Sequence, residues 1–174
     1  MTSKQYKRRF GSTGLVALAL TVVLMVAPRT IANAQSQHAA SHGGLEGTWR
    51  VEVTLRDCNT GAALGSPFRS LLSFARGGTM TETTARFSPA VRGPGHGIWQ
   101  QIQGSTFSST LEAFLYNPSG VWIEWQRLTQ TIEIGDDPHT WTANAHNEIF
   151  DTNDNLLVSG CSTAVGHRME GGPR

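Results

Sequence analysis

The stretch WRVEVTLR, residues 49–56, alternates without a break between apolar and polar side chains. Its apolar members are Trp49, Val51, Val53 and Leu55, and its polar members are Arg50, Glu52, Thr54 and Arg56. Successive side chains of a β-strand point to opposite faces, so a period of two indicates a strand with one buried and one wet face. Asn59-Thr60-Gly61 then predicts a turn. The stretch therefore predicts the first strand of an all-β domain.

The same pattern recurs to the end of the chain. Turns rich in Gly, Pro and Asn separate seven further predicted strands, at residues 66–76, 79–87, 98–104, 106–116, 121–134, 139–150 and 156–168. No segment has an apolar 3.6-residue period long enough to predict a helix. Short connections favour an eight-stranded antiparallel up-and-down (meander) barrel, because closure removes exposed sheet edges. A Greek-key sandwich is the alternative, but it needs a longer connection than residues 88–97, the longest here.

The N-terminus has the three parts of an export signal. Lys4, Lys7, Arg8 and Arg9 precede an apolar run at residues 14–27, and Ala32-Asn33-Ala34 matches a small-x-small cleavage site. An uncleaved membrane anchor is the alternative, but fourteen apolar residues are fewer than the ~20 that span a bilayer. We therefore expect residues 1–34 to be a signal peptide cleaved near Ala34, with no transmembrane segment left after processing. The expected location is the periplasm or the medium.

Cleavage at this point leaves one domain of ordinary size. Residues 35–44 are small and polar and predict a flexible tail, residues 45–170 carry the barrel, and residues 171–174 form a short C-terminal tail. Five of the 14 basic residues leave with the signal, so nine arginines face 13 acidic residues, a formal charge of −4. An acidic chain with scattered arginines offers no basic stripe, so we expect no nucleic-acid partner.

Both cysteines, Cys58 and Cys161, lie in the predicted mature part. An exported chain meets oxidising conditions, so we expect the two to form a disulfide. Two buried free thiols or half of a metal site are the alternatives, although no further ligands stand at metal-site spacing. A disulfide would place the end of the first strand beside the last strand, as barrel closure requires.

Leu45-Glu46-Gly47-Thr48-Trp49 begins the first predicted strand and resembles the Gly-x-Trp signature of the lipocalins and their calycin relatives. In that superfamily the tryptophan closes one end of the barrel, and a basic residue near the end of the last strand packs across its ring. The resemblance implies these structural roles for Trp49 and Arg168. The Thr-Asp-x-x-Tyr element and the long helix usual in lipocalins are not found in the sequence.

Large apolar side chains on several predicted strands are candidates for the lining of a ligand cavity. They are Phe68, Leu72, Phe74, Met80, Trp99, Leu111, Trp125 and Trp141. Small residues in the strand interiors, such as Ser162 and Ala164, would leave room beside them for an apolar ligand with a few polar anchors. A solid core is the alternative. Trp122 and Trp125 have opposite parity, so without a bulge one of them is expected to pack outside.

The loop RGPGHG, residues 92–97, combines a cation, a histidine and three glycines. A phosphate loop directs its amides from the start of a helix, and no helix is predicted after this loop. We interpret its Gly and Pro residues as a wide turn between two strands. A rim loop at the mouth of the barrel, with Arg92 and His96 in contact with a ligand, remains an alternative.

The chain lacks recognisable catalytic motifs. No serine lies in a Gly-x-Ser-x-Gly elbow, and His146 and Glu148, which share a strand face, have no third ligand near them. Carboxylates within strands (Glu82, Glu112 and Glu124) are candidates for acid–base work only if one of them points inward. We therefore expect no catalytic residue, no metal and no cofactor.

These patterns favour an exported, lipocalin-like barrel that binds a small hydrophobic molecule, rather than an enzyme. The first alternative is a barrel-type cyclase or isomerase that acts by confinement and orientation, similar to allene-oxide-cyclase-like barrels. The second is a protein-binding barrel, such as an inhibitor of a secreted hydrolase. The aromatic residues of the sixth strand also permit a homo-oligomer that forms through the outer face.

Overall fold

A computed structural model describes residues 44–170; the predicted signal peptide, residues 35–43 of the predicted tail and residues 171–174 lie outside the described residues. Eight antiparallel strands close into one barrel, in which each strand pairs with its neighbours along the chain and the last pairs with the first. The strands are β1 (Gly47–Arg56), β2 (Phe68–Phe74), β3 (Thr79–Thr84), β4 (Gly95–Gln103), β5 (Thr106–Tyr116), β6 (Trp122–Ile134), β7 (Thr140–Asp151) and β8 (Leu156–Arg168). The predicted up-and-down barrel is confirmed, and the sandwich alternative is excluded. No helix within residues 44–170 is long and apolar enough to cross a membrane.

One half of the barrel is filled by a hydrophobic core, and we name this half the sealed end. Inward side chains from seven strands meet there, because alternation places the apolar members of a strand on the inner face, and Trp99 of β4 packs against them. The core consists of Leu45, Trp49, Val51, Leu72, Phe74, Met80, Phe107, Leu111, Ile132, Ile134, Trp141, Ala143 and Ala164. The indole of Trp49 contacts that of Trp141 edge to face at a centroid distance of 6.0 Å. Trp49 and Leu45 are fully buried, so they close this end.

Arg168 covers the sealed end from outside. Its guanidinium carbon lies 4.1 Å from the centre of the Trp49 ring, which is the arrangement that the resemblance to lipocalins implies. The same guanidinium donates hydrogen bonds to the carbonyl oxygens of Glu46 and Gly44. Desolvation in this position lowers the pKa of Arg168 below its ordinary value. Residues 44–46, which precede β1, are therefore held against the end of β8.

Burial decreases along the strands toward the opposite end, which we name the open end. On β7, Trp141 and Ala143 are buried, whereas residues 147–150 are only half-buried. On β8, Ala164 is buried and residues 156–159 are exposed. The connections at this end are residues 57–67, 85–94, 117–121 and 152–155. The core thus occupies only part of the barrel interior.

The predicted disulfide between Cys58 and Cys161 is confirmed, with the two Cα atoms 5.2 Å apart. Strands β1 and β8 pair from Trp49 opposite Arg168 to Arg56 opposite Cys161. Cys58 lies two residues beyond this last pair, so the bridge continues the β1–β8 contact at the open end. It joins the first and last strands where their pairing stops.

The interpretation of the RGPGHG loop as a turn was wrong for its second half. β4 begins at Gly95, three residues earlier than predicted, and Gly95 and Gly97 pair with Glu82 and Met80 of β3. A Cβ atom on Gly97 would lie 2.1 Å from the Thr110 carbonyl oxygen and 2.6 Å from the Leu111 Cα. Glycine is needed here because β4 approaches β5 too closely for any side chain.

Candidate functional site

A cavity of about 350 Å³ opens at the open end of the barrel. Its wall is mostly apolar and comes from β1, β2, β3, β6, β7 and β8, together with the β1–β2 and β3–β4 connections. The main apolar residues of the wall are Val53, Leu55, Leu64, Phe68, Phe87, Leu128, Ile149 and Val158. Gly160 also lines the cavity, and a Cβ atom placed there would have no atom within 4 Å. The interior is therefore open at this end and filled at the other.

An ion pair lies at the inner end of the cavity. The Arg92 Nη1 atom is 2.8 Å from the Glu82 Oε2 atom, and the two side chains are only 4% and 5% exposed. Arg92 points inward because its backbone forms a bridge with Leu115, whose side chain also faces the interior. Glu82 lies on β3 beside the core residue Met80, one inward position nearer to the open end. The pair therefore marks the boundary between core and cavity.

Four more polar side chains extend this ion pair across the barrel. The Arg92 Nε donates to the Gln126 Oε1 at 2.8 Å, and the Gln126 Nε2 donates to the Asn147 Oδ1 at 3.3 Å. The Asn147 Nδ2 then donates to the Ser162 Oγ at 3.0 Å. On the other side, the Ser70 hydroxyl donates to the Glu82 Oε1 at 3.3 Å. We name these six residues, all of which line the cavity, the polar base.

The polar base carries no net charge, and its carboxylate is held by two partners. One oxygen of Glu82 accepts from Ser70 and the other from Arg92, so both the orientation and the charge of the carboxylate are set by neighbouring side chains. The arginine side chain is likewise held on two sides, by Glu82 and Gln126. This arrangement is suited to orienting a bound group by hydrogen bonds rather than to abstracting a proton.

The charge of the cavity lining is opposite in sign to that of the predicted mature chain. Three arginines (Arg56, Arg86 and Arg92) and a single acidic residue, Glu82, line it. Arg86 lies at the mouth, with its guanidinium carbon 5.2 Å from the centre of the Phe68 ring. The lining is therefore positive in a chain whose predicted mature form is acidic.

Most of the residues predicted to line a cavity lie in the core instead. Leu72, Phe74, Met80, Leu111 and Trp141 are buried at the sealed end, and Trp99 packs between Phe74 and Phe107 at ring distances of 6.0 and 5.9 Å. Phe68 is the member of the predicted set that contributes to the cavity wall. These large side chains fill one half of the barrel, and the shorter side chains of β7 and β8 leave the other half open.

Trp125 lies on the outer surface of the barrel. It pairs with Phe114 and Phe150, stacks on the Phe150 ring at 4.3 Å, and donates from its indole nitrogen to Asp154. The inward positions of β6 are the even-numbered ones, which include the core residues Ile132 and Ile134. Trp122 is exposed as well, because a register shift at Leu115/Tyr116 interrupts the alternation at the start of this strand.

The two predicted rim residues separate in the structure. Arg92 is buried in the polar base, whereas His96 is an exposed residue of β4. Glu112 faces outward and pairs with Arg127 at 2.9 Å. His146 and Glu148 are also on the outer face, 3.9 Å apart, and residues 44–170 contain no group of three side chains placed to hold a metal ion.

Sequence reasoning missed two members of the polar base, Gln126 and Asn147. Both have the parity of core residues on their own strands, since Gln126 is in phase with Ile132 and Asn147 with Trp141. Parity counted back from those apolar residues is the signal that predicts their inward orientation.

Comparison of the sequence with protein-family models and with curated proteins found no match.

Proposed function

We propose that this protein binds a small, largely hydrophobic molecule in the open half of its barrel. The observation that carries the proposal is the apolar cavity of about 350 Å³, which ends on the polar base. A pocket with a mostly apolar wall and a few convergent polar groups is typical of small-molecule sites. The filled sealed end supports this function because it stabilises the barrel without occupying the cavity.

We place the protein with the lipocalin-like barrels in this proposal. Support comes from the closed eight-stranded meander, from the Gly-x-Trp sequence at the start of β1, and from Arg168 over the Trp49 ring. Export of the protein is also proposed, on the basis of the signal-like N-terminus and the disulfide. A carrier or scavenger of apolar molecules outside the cytoplasm fits these features.

Binding is favoured over the two alternatives by the state of the interior. A cyclase that uses an inward carboxylate needs that group free to move toward its substrate, and here Ser70 and Arg92 hold the two Glu82 oxygens in place. A barrel that acts only through its outer face needs no opening inside, and here an open cavity is present.

The test uses one glycine of the cavity wall. Gly160→Phe places a ring in the cavity from a position whose Cβ meets open space, and Gly135→Phe makes the same change in a turn at the sealed end, also in open space. Binding of the neutral fluorophore N-phenyl-1-naphthylamine is titrated by fluorescence, and the stoichiometry is measured by native mass spectrometry. The protein is expressed with its leader, so that the disulfide forms.

We expect saturable one-to-one binding by the unchanged protein and by Gly135→Phe. Gly160→Phe should weaken binding at least about tenfold, because the new ring occupies the volume that the probe needs. The melting temperature of each variant shows that it folds. Equal binding by all three proteins would contradict the proposal, since the probe would then bind elsewhere, and so would a lack of binding by the unchanged protein.

A further inference from the structure

The hydrogen bonds of the polar base have a fixed direction. A guanidinium group donates hydrogen bonds and accepts none, so the carboxamide of Gln126 must present its oxygen to Arg92. Its nitrogen then faces Asn147, which therefore presents its own oxygen to Gln126 and its nitrogen to Ser162. The orientation of both amides thus follows from Arg92.

This direction leaves several donors of the polar base, which lines the cavity, without a partner among residues 44–170. Each amide nitrogen has two hydrogens, and Gln126 and Asn147 each use one of them within the polar base. The Ser162 oxygen accepts from Asn147, so its own hydrogen is free to donate. The Arg92 Nη2 atom has no acceptor among residues 44–170. Each carboxylate oxygen of Glu82, by contrast, already accepts a hydrogen bond.

We propose that the cavity selects a hydrophobic molecule with a neutral carbonyl group, whose oxygen points to the spare donors of Arg92, Gln126, Asn147 and Ser162. The inference rests on the proposed binding of a ligand in the barrel. Buried donors without an acceptor are costly, so a carbonyl oxygen stabilises the complex where a hydrocarbon does not.

The charge of the polar base argues for a neutral acceptor at that depth rather than a carboxylate, because the other two arginines of the lining lie elsewhere: Arg86 is at the mouth, and Arg56 donates to Thr163 and Gly61. Arg92 and Glu82 already balance each other at 2.8 Å, with both side chains almost fully buried. A carboxylate beside them would add a buried charge at the polar base, where the single arginine is already paired, and this is unfavourable in a desolvated site. A ketone, ester or amide carbonyl accepts the same hydrogen bonds without that charge.

The experiment compares two molecules of the same shape. In 2-methyl-1-undecene a methylene group replaces the carbonyl oxygen of 2-undecanone, and the rest of the molecule is identical. Each displaces N-phenyl-1-naphthylamine from the unchanged protein and from the double variant Glu82→Met/Arg92→Met. The double variant removes the donors of Arg92 together with the opposite charge, because removal of one partner alone would leave a buried unpaired charge.

We expect the double variant to bind the ketone about five- to tenfold more weakly than the unchanged protein, the loss expected for one or two hydrogen bonds. The alkene should bind to the double variant at least as tightly as it binds to the unchanged protein. Undecanoate should bind to the unchanged protein more weakly than the ketone. Tighter binding of undecanoate would overturn the inference in favour of an anionic ligand.

An infrared measurement tests the same contact without any substitution. The carbonyl stretch of 2-undecanone bound to the unchanged protein should lie at lower frequency than in hexane, because hydrogen bonds weaken the C=O bond. A frequency equal to that in hexane would overturn the inference, although the proposed binding would stand. If the unchanged protein binds neither the fluorophore nor the ketone nor the alkene, the proposed function itself fails.

Discussion

At the scale of single residues, buried hydroxyl groups of this barrel differ in whether they are hydrogen-bonded. The hydroxyl of Ser162 accepts from Asn147, and Ser162 is 4% exposed. Ser109 is 2% exposed, and its hydroxyl has no hydrogen-bond partner within the described barrel. A buried hydroxyl without a partner loses its hydration on folding and gains nothing in return.

Ser109→Ala should therefore raise the free energy of unfolding by about 1 kcal/mol, because it removes the desolvation penalty of the hydroxyl. Ser162→Ala, the matched change at a bonded hydroxyl, should lower it by about 1 kcal/mol. Urea unfolding of the three proteins measures both differences. A loss of stability in both variants would show that the Ser109 hydroxyl is satisfied in solution.

The residue scale is also where prediction from the sequence was weakest. A glutamine or asparagine inside a strand is interpreted as solvent-facing unless the parity of the strand is known. At the start of β6 the parity is obscured, because Trp122 and Trp125 have opposite parity and both lie on the outer face. The cause is a register shift in the pairing of β6 with β5. Gln126 follows directly, so its inward orientation depends on long-range pairing that the local pattern does not contain.

At the scale of elements, the strands and their order followed from alternation and turn residues. The boundaries near residues 85–97 were wrong, since glycine is found both in turns and where strands come close together. Gly97 serves the second purpose, since a Cβ atom at this position would collide with the backbone of Thr110. Whether a glycine marks a turn or a close approach here depends on the distance between β4 and β5. The sequence of one strand does not determine that distance.

The turn after β1 predicts a pH-dependent stability. The Asp57 carboxylate accepts from the backbone N–H and hydroxyl groups of Thr60 and from the backbone N–H of Asn59. These bonds, led by that from the Thr60 backbone, lower the pKa of Asp57 below its ordinary value of 3.8. The ionised form is therefore preferred in the folded state, and its stabilising contribution is present above pH 3.8 and lost as the pH falls through the lowered pKa.

Asp57→Asn should lower the melting temperature at pH 6, and the difference from the unchanged protein should shrink as the pH falls below the ordinary carboxyl pKa of 3.8. Thermal unfolding followed by circular dichroism between pH 6 and pH 2 measures this difference. Asp136→Asn is the control, because the Asp136 carboxylate accepts no hydrogen bond from residues 44–170. A difference that stays constant with pH would contradict the assigned role of Asp57.

At the scale of the whole molecule, barrel closure depends on the contact between the two ends of the chain. Eight residue pairs join β1 to β8, and the disulfide adds a covalent link at the open end of this seam. The sequence predicted both, since a meander that carries a signal-like N-terminus and one cysteine near each end is expected to form a bridge. Which half of the barrel is filled was not predictable, because side-chain volumes add up only after all eight strands are in register.

Removal of the disulfide by Cys58→Ala/Cys161→Ala should lower the free energy of unfolding by about 4–5 kcal/mol, the chain-entropy value for a loop of roughly 100 residues. Urea unfolding with and without a reducing agent measures the effect. The reducing agent should destabilise the unchanged protein and leave the double variant unaffected. A cost below about 1 kcal/mol would mean that the β1–β8 seam holds equally well without the bridge.

The closure of one end by Trp49, Leu45 and Arg168 has a kinetic consequence. Any molecule that occupies the cavity enters and leaves through the open end of the barrel. The part of the molecule that enters first is the part that leaves last. Two molecules cannot pass each other in a space of about 350 Å³. Replacement of one occupant by another is therefore strictly sequential, and its pace is set by how readily the first one leaves.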